Sequence, residues 1–521
     1  MDTILILDFG SQYTQLIGRR VRELGVYSEI LPGDAALDER SLRDCSGIIL
    51  SGSPYSAYEA GAPKPHASVF SSGLPVLGIC YGIQRMTYDE GGQVERLPER
   101  EYGKKPVRLE LGEGGKADPL FSGVGREFSS WMSHGDSIAR PAPGWRVAAR
   151  SEGGIVAALA HESKPYWGVQ FHPEVSHCEF GTKILENFVL GICEAEKSWS
   201  MEAYLAREAQ TIRDRVGKEP VLLLISGGVD STVAGAFLLE TLDPSQVYLL
   251  YIDTGLMRKA ESEEVMKNLS SLGASHLRMA DAEAEFLAAL AGVEDPEKKR
   301  KIIGDLFITI QEREVAALGI PEAFLVQGTL YTDLIESGKG VGAKAQVIKS
   351  HHNVRSPLVE KKRAAGRVIE PLDRLYKDEV RALGRLLGLP PHVVGRHPFP
   401  GPGLGVRILG EVTREKCDIL RAADAIYIEE LRRRGLYDRI WQAFCVLLPV
   451  RSVGVAGDER KYGYVVALRA VTSEDGMTAG VFPFDAKDLI EISSAITNRV
   501  PAVGRVAYDI SSKPPATIEW E

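Results

Sequence analysis

Two short stretches of this sequence carry residue types at spacings that can do chemistry. In the first, the apolar run Val221-Leu-Leu-Leu-Ile225 opens into Ser226-Gly-Gly-Val-Asp-Ser231. So apolar a run predicts a strand buried on both faces, and Gly227 and Gly228 permit a tight turn that brings backbone N–H groups against an anion. Ser231-Thr-Val-Ala then begins a helical pattern, whose N-terminus aims unpaired N–H groups and the positive end of the helix dipole at the same spot. The chemistry predicted is phosphate binding, with an ordinary glycine-rich turn as the alternative. No Gly-Lys-Ser or Gly-Lys-Thr occurs, so the loop is not a Walker A loop.

In the second stretch, Gly78-Ile-Cys80-Tyr-Gly82 lies between a short strand and a helical pattern, the thiol counterpart of a nucleophile elbow. The flanking glycines tolerate the sharp turn that exposes the sulfur, and the start of the helix favours negative charge there. A buried structural cysteine is the competing reading until Val169-Gln-Phe-His172-Pro-Glu174 is considered. At the end of another strand, His172 can take the thiol proton while Glu174 orients the imidazole. His177 and Cys178 nearby suggest a metal reading, but three ligands crowded on one turn with no distant fourth make a poor site.

The elements that must position these residues follow from the pattern of the whole chain. At 521 residues it is too long for one core. The segment 1–195 alternates short apolar strands (Ile4 to Leu7, Gly47 to Leu50, Val76 to Leu77, Tyr166 to Phe171) with helical patterns, which predicts an α/β domain. A charged helix, Met201 to Val216, links it to a second doubly wound α/β domain over 196–396, with strands at Val221, Val247 to Ile252 and Ala323 to Gln327. The Gly- and Lys-rich stretch from Ser337 to Gly366 has the composition of a loop that could close over the phosphates. His397-Pro-Phe-Pro-Gly-Pro-Gly-Leu-Gly405 interrupts regular structure and opens a smaller α+β domain over 397–521, with a helix around Asp418 to Arg434 and strands at Tyr464 to Leu468 and Arg505 to Tyr508.

Bulk properties narrow the function. A net charge of −9 and a pI near 5.7 argue against a nucleic-acid partner, while leaving room for a basic pocket for a small anion. No apolar run approaches the length of a membrane span and Met1-Asp-Thr-Ile carries no positively charged leader, so the expectation is a cytoplasmic protein without a membrane partner. Six cysteines dispersed without CxxC spacing suggest neither a disulfide framework nor a zinc ribbon.

The 226–231 loop resembles the pyrophosphate loop of the ATP pyrophosphatase enzymes, which cleave ATP between the α and β phosphates and activate an oxygen as an adenylate. Cys80, His172 and Glu174, in their local sequences, resemble the triad of the class I glutamine amidotransferase domain. That resemblance implies that Cys80 attacks the glutamine side-chain amide, that His172 protonates the departing ammonia, and that water hydrolyses the thioester. It also implies an oxyanion hole from the N–H of Tyr81 and one from a loop that is Gly-Gly-Pro in the family and Gly52-Ser53-Pro54 here. Ser53 supplies the N–H, at a cost in strain if its φ must be positive.

His397-Pro-Phe-Pro-Gly-Pro-Gly, Leu448-Pro-Val-Arg-Ser-Val-Gly-Val455 and Asp509-Ile-Ser-Ser-Lys513-Pro-Pro-Ala-Thr-Ile-Glu519-Trp-Glu521 look like the dimerisation domain of the glutamine-hydrolysing GMP synthase family. Asp8-Phe-Gly-Ser-Gln-Tyr, Trp131-Met-Ser-His-Gly-Asp136 and Lys349-Ser-His-His-Asn353 extend the match. The resemblance implies amination of xanthosine monophosphate (XMP) through an adenylate, with ATP as co-substrate, Mg²⁺ as its counterion, and a homodimer. It implies that Ser226, Gly227, Gly228, Val229, Asp230, Ser231, Thr232 and Lys349 meet the ATP phosphates. Arg258, Gln442, Lys513 and Glu519 would meet XMP, and Asp230, Asp333 and Glu336 would hold the metal. Thr254 in place of Asn, Thr332 in place of Pro, and Arg355-Ser-Pro357 in place of Gly-Gly depart from the family pattern. An NAD synthetase-like enzyme and a non-catalytic nucleotide sensor are the rival readings. The first shares the loop but not the Cys–His–Glu set, and the second has no use for that set.

Overall fold

A computed structural model describes residues 2–336, 357–456, 459–473 and 478–521. It divides into two compact units, the first taking in residues 2–204 with 331–336, the second 205–330 with the described residues from 357 to 521.

The first unit is built on a nine-stranded sheet. Its strands are β1 (Thr3–Asp8), β2 (Tyr27–Pro32), β3 (Cys45–Leu50), β4 (Val76–Ile79), β5 (Gln93–Leu109), β6 (Glu127–Arg140), β7 (Trp145–Ser151), β8 (Val156–His161) and β9 (Tyr166–Val169). In the order β2-β1-β3-β4-β9 all pairs are parallel. The sheet continues as β8-β7-β5-β6 with antiparallel pairing. The parallel half reads as continuous apolar runs because both of its faces are covered: Ile4, Ile6, Leu7, Ile48, Ile49 and Leu50 are fully buried. Since β4 and β9 are parallel neighbours, whatever follows Ile79 and Val169 emerges at the same end of the sheet.

The second unit holds the all-parallel sheet of β10 (Val221–Ile225), β11 (Val247–Asp253), β12 (His276–Asp281), β13 (Phe324–Val326) and β14 (Val368–Ile369), in the order β12-β11-β10-β13-β14. The order reverses on either side of β10, so the loop leaving β10 sits at the switch point where such sheets bind ligands. A third sheet joins β15 (Gln442–Ala456), β16 (Glu459–Thr472), β17 (Gly480–Val481) and β18 (Val503–Tyr508). It packs with the helices Arg414–Arg433 and Ala486–Arg499. One apolar cluster runs from Leu222 and Leu250 of the parallel sheet through Ile303 and Ile408 to Leu447, Leu468 and Ile496. The expected α/β architecture is present, and the C-terminal α+β elements share a core with the second parallel sheet.

Candidate active site

In the first unit the sequence around Cys80 leaves the backbone little choice. Cys80 has φ 53°, a left-handed conformation for a side chain with a Cβ, and its N–H is held by the Val169 carbonyl at 2.8 Å. A Cβ on Gly78 would lie 2.5 Å from the Ile83 nitrogen, and one on Gly82 would lie 2.5 Å from the Leu50 carbonyl oxygen. The two glycines are therefore required by close packing of the elbow against β3 and against the start of the helix Tyr81–Asp89.

His172, at the end of the segment after β9, places Nδ1 2.7 Å from Glu174 Oε1. His172 is 3% exposed and Glu174 is fully buried. Burial works against the imidazolium, but the charges of Glu174 and Cys80 and the hydrogen bonds to both raise the His172 pKa well above its ordinary value. Arg20 Nε donates to the Glu174 carbonyl at 3.0 Å, and the Tyr13 ring meets the imidazole edge-on. Cys80, His172, Tyr81, Ser53 and Gln84 all line one cavity of about 670 Å³, whose walls also carry Arg96 and Asp136. Burial pushes the other thiols up, Cys45 and Cys417 to about 11 and Cys178 to about 12, which leaves them poor nucleophiles. Ser53 is not among the residues with positive φ, so its side chain brings none of the strain expected of a glycine replacement. His177 lies against Trp131, and among the described residues no three metal-binding side chains converge.

In the second unit β10 ends in a turn with Gly227 at φ 78°, followed by the helix Val229–Thr241 with Gly228 at its N-cap. The loop is tied to itself: Ser231 Oγ lies 3.0 Å from Ser226 Oγ, and Thr232 Oγ1 donates to the Gly228 carbonyl at 2.9 Å. Asp230 is engaged by Lys377 Nζ at 2.5 and 2.6 Å, one bond to each carboxylate oxygen. Arg396 Nη1 donates to the Gly227 carbonyl at 2.8 Å. Sequence reasoning missed both cations; each reaches the loop from more than 140 residues away.

Three of the four residues expected to meet XMP come together. Gln442 Nε2 donates to Glu519 Oε1 at 2.8 Å and to the Pro398 carbonyl at 3.2 Å, and Arg258 Nη2 reaches the same carbonyl at 3.4 Å. The Arg258 guanidinium lies over the Phe399 ring, with Asp424 at 3.8 Å. Lys513 is held on the same tail through backbone bonds to Ala479. Glu519 is bound by a residue absent from the sequence reading: the fully buried Arg407 grips both its oxygens, at 2.8 and 3.0 Å. Thr254 Oγ1 accepts the Leu256 N–H within its own turn. Of the residues expected to hold the metal, Asp230 has both carboxylate oxygens engaged by Lys377. Lys349, Arg355, Ser356 and the side chain of Glu336 lie outside the described residues.

Comparison with known proteins gives this geometry its context. A family model described as glutamine amidotransferase class-I matches residues 5–192, and one described as the GMP synthase C terminal domain matches residues 429–520. The GMP synthase [glutamine-hydrolyzing] of Aquifex aeolicus is 50% identical over 520 residues, covering 99% of each chain. That of Thermus thermophilus is 52% identical over 519 residues, covering 99% of this chain and all of its own. The match runs over essentially the whole of each chain at about half identity, and the chain belongs to the glutamine-hydrolysing GMP synthase family.

Proposed function

We propose that the two units divide one reaction: XMP, ATP, glutamine and water become GMP, AMP, pyrophosphate and glutamate. The observation that carries this reading is a thiol elbow with its His–Glu couple and a strand-to-helix phosphate loop in one chain. In the first unit the Cys80 sulfur, its proton taken by His172, attacks the glutamine amide carbon, and the oxyanion is held by the N–H groups of Tyr81 and Ser53. His172 returns the proton to the leaving ammonia, and water then releases glutamate. Glu174 supports the imidazolium through both steps.

In the second unit the 2-oxygen of XMP attacks the α-phosphorus of ATP, pyrophosphate leaves, and ammonia displaces AMP from the adenylated carbon. The backbone N–H groups of 226–232, with Lys377 and Lys349, suit the departing pyrophosphate. Arg258 and Lys513 supply charge for the XMP phosphate, while Gln442 and Glu519 face its purine or ribose. Mg²⁺ enters as the counterion of ATP, with Asp230, Asp333 and Glu336 as its candidate contacts once Asp230 parts from Lys377. A division into 1–195, 196–396 and 397–521, dimerisation through the last segment, and a cytoplasmic setting complete the proposal. No described helix is long and apolar enough to cross a membrane.

The test is to incubate the chain with XMP, ATP, Mg²⁺ and glutamine and to measure GMP, AMP, pyrophosphate and glutamate. Equal yields are expected. Cys80→Ala should abolish glutamine-driven synthesis and spare synthesis from ammonium salt; equal loss of both would overturn the division of labour.

A further inference from the structure

Glu261 opens the helix Glu261–Ser271 and is 3% exposed, an unusual place for a carboxylate. The turn before it is held in an uncommon conformation, with Ala260 at φ 56°. Both Glu261 oxygens are used, and they point to different substrates' residues. Oε2 accepts the backbone N–H of Arg258 at 3.0 Å, while Oε1 is gripped by Arg396 Nη2. The same guanidinium donates through Nη1 to the carbonyl of Gly227, the positive-φ residue of the phosphate loop. Glu261 Oε1 also stands only 3.7 Å from where a Gly227 Cβ would be. Arg396 is followed by His397 and Pro398, and the Pro398 carbonyl accepts from both Arg258 and Gln442.

We propose that Glu261, acting through Arg396, is a positioning residue that locks the phosphate loop and Arg258 into one rigid register, so that the α-phosphorus of ATP and the attacking oxygen of XMP meet in line. The proposal rests on the assignment of the 226–232 loop to ATP and of Arg258 to XMP. Both Glu261 oxygens are taken by protein donors, so its carboxylate acts through them. Its carboxylate needs two full acceptors, one for a guanidinium and one for an N–H, and the isosteric amide supplies only one. A small displacement between reacting groups costs on the order of 10²-fold in rate.

The test uses the full chain with ammonium salt as nitrogen source, so that glutamine hydrolysis does not enter. Glu261→Gln should raise KM for ATP and for XMP together and lower kcat by about 10²-fold. Glu261→Asp, which restores both acceptors, should recover part of each. Arg396→Lys cannot span Gly227 and Glu261 with one fork and should move both KM values in the same way, with the double variant no worse than either single one. A residue that merely caps its helix would lower the melting temperature while leaving the XMP KM of Arg396→Lys unchanged, and that result overturns the proposal. Arg258→Ala separates the two levels. If it raises the XMP KM while Glu261→Gln shifts one nucleotide or neither, the site assignment stands and the register lock falls. An unchanged XMP KM in Arg258→Ala overturns both.

Discussion

His397 shows how much one buried ring can dictate. Its Nδ1 accepts the Ala443 N–H at 3.1 Å, Nε2 lies 3.0 Å from the Tyr437 carbonyl, and the ring stacks on Tyr437. The neutral Nε2–H tautomer satisfies both bonds, whereas protonation at Nδ1 would break the first. Burial, with Arg258, Arg381 and Arg432 nearby, lowers its pKa to about 4 despite the bond to Tyr437. Between that value and the ordinary 6.5 the unfolded chain binds the proton and the folded one does not, so stability falls as pH drops through the window. The full contribution is about 3 kcal/mol by pH 4. Asp373 works in the opposite sense: burial raises it to about 6, so its contribution is present at low pH and lost as pH rises toward that value. Because the two contributions oppose each other over the same window, the test is the difference between variants: denaturant unfolding at pH 7 and pH 4 should show that His397→Asn, relative to the parent, gains stability as pH falls, and an identical pH dependence in the two proteins would refute the assignment. At the other site, Glu174→Gln keeps the size but loses the charge that supports His172. Glutaminase activity should fall by on the order of 10²-fold or more, with ammonium-driven synthesis retained.

Elements place these residues through glycines and long-range pairs. Gly82→Ala drives a methyl group into the Leu50 carbonyl, so β3 or the elbow must shift. A cost of about 1–3 kcal/mol is expected, with glutamine hydrolysis lost before ammonium-driven synthesis, as melting curves paired with the two assays would show. Lys377→Ala leaves Asp230 unpaired beside the phosphate loop. Synthesis from either nitrogen source should drop about 10²-fold, and pyrophosphate release at the parental rate would rule out the role. The elbow, the His–Glu couple and the phosphate loop were legible in the sequence because each is local: glycine, nucleophile and base lie within a few residues of the turn that exposes them. Lys377, Arg396 and Arg407 were not, since a cation's role depends on a partner 147, 169 or 112 residues away, which no local pattern encodes. The antiparallel half of the first sheet also escaped notice. Its long β5 and β6 mix charged and apolar residues without clean alternation, as in Glu101-Tyr-Gly-Lys-Lys-Pro106.

At the scale of the whole molecule, the segment from Ser511 to Glu521 is held by buried cations. Arg469 Nη2 donates to the Thr517 carbonyl at 3.1 Å, Arg407 grips Glu519, and Lys299 Nζ donates to Glu521 Oε2 at 2.6 Å. All three cations are fully buried. Deleting residues 513–521 would strand Arg407 and Lys299 without their carboxylates, and breaking a buried pair typically costs about 3–5 kcal/mol. The deletion should therefore weaken XMP binding and also lower the stability of the second unit, while Lys513→Ala should affect binding alone. Calorimetric titration with XMP and thermal melting together separate the two effects; a deletion that binds XMP normally would remove the tail from the site.

The apolar cluster that runs without a break from β10 and β11 to β15, β16 and the helix Ala486–Arg499 bears on how the protein comes apart. Cooperativity follows shared packing rather than divisions along the sequence, because no part of a continuous core can loosen without exposing the rest. Differential scanning calorimetry should resolve two heat-absorption peaks and not three. Proteolysis under native conditions should release the amidotransferase half well before any cut separates the adenylating sheet from the segment that follows it.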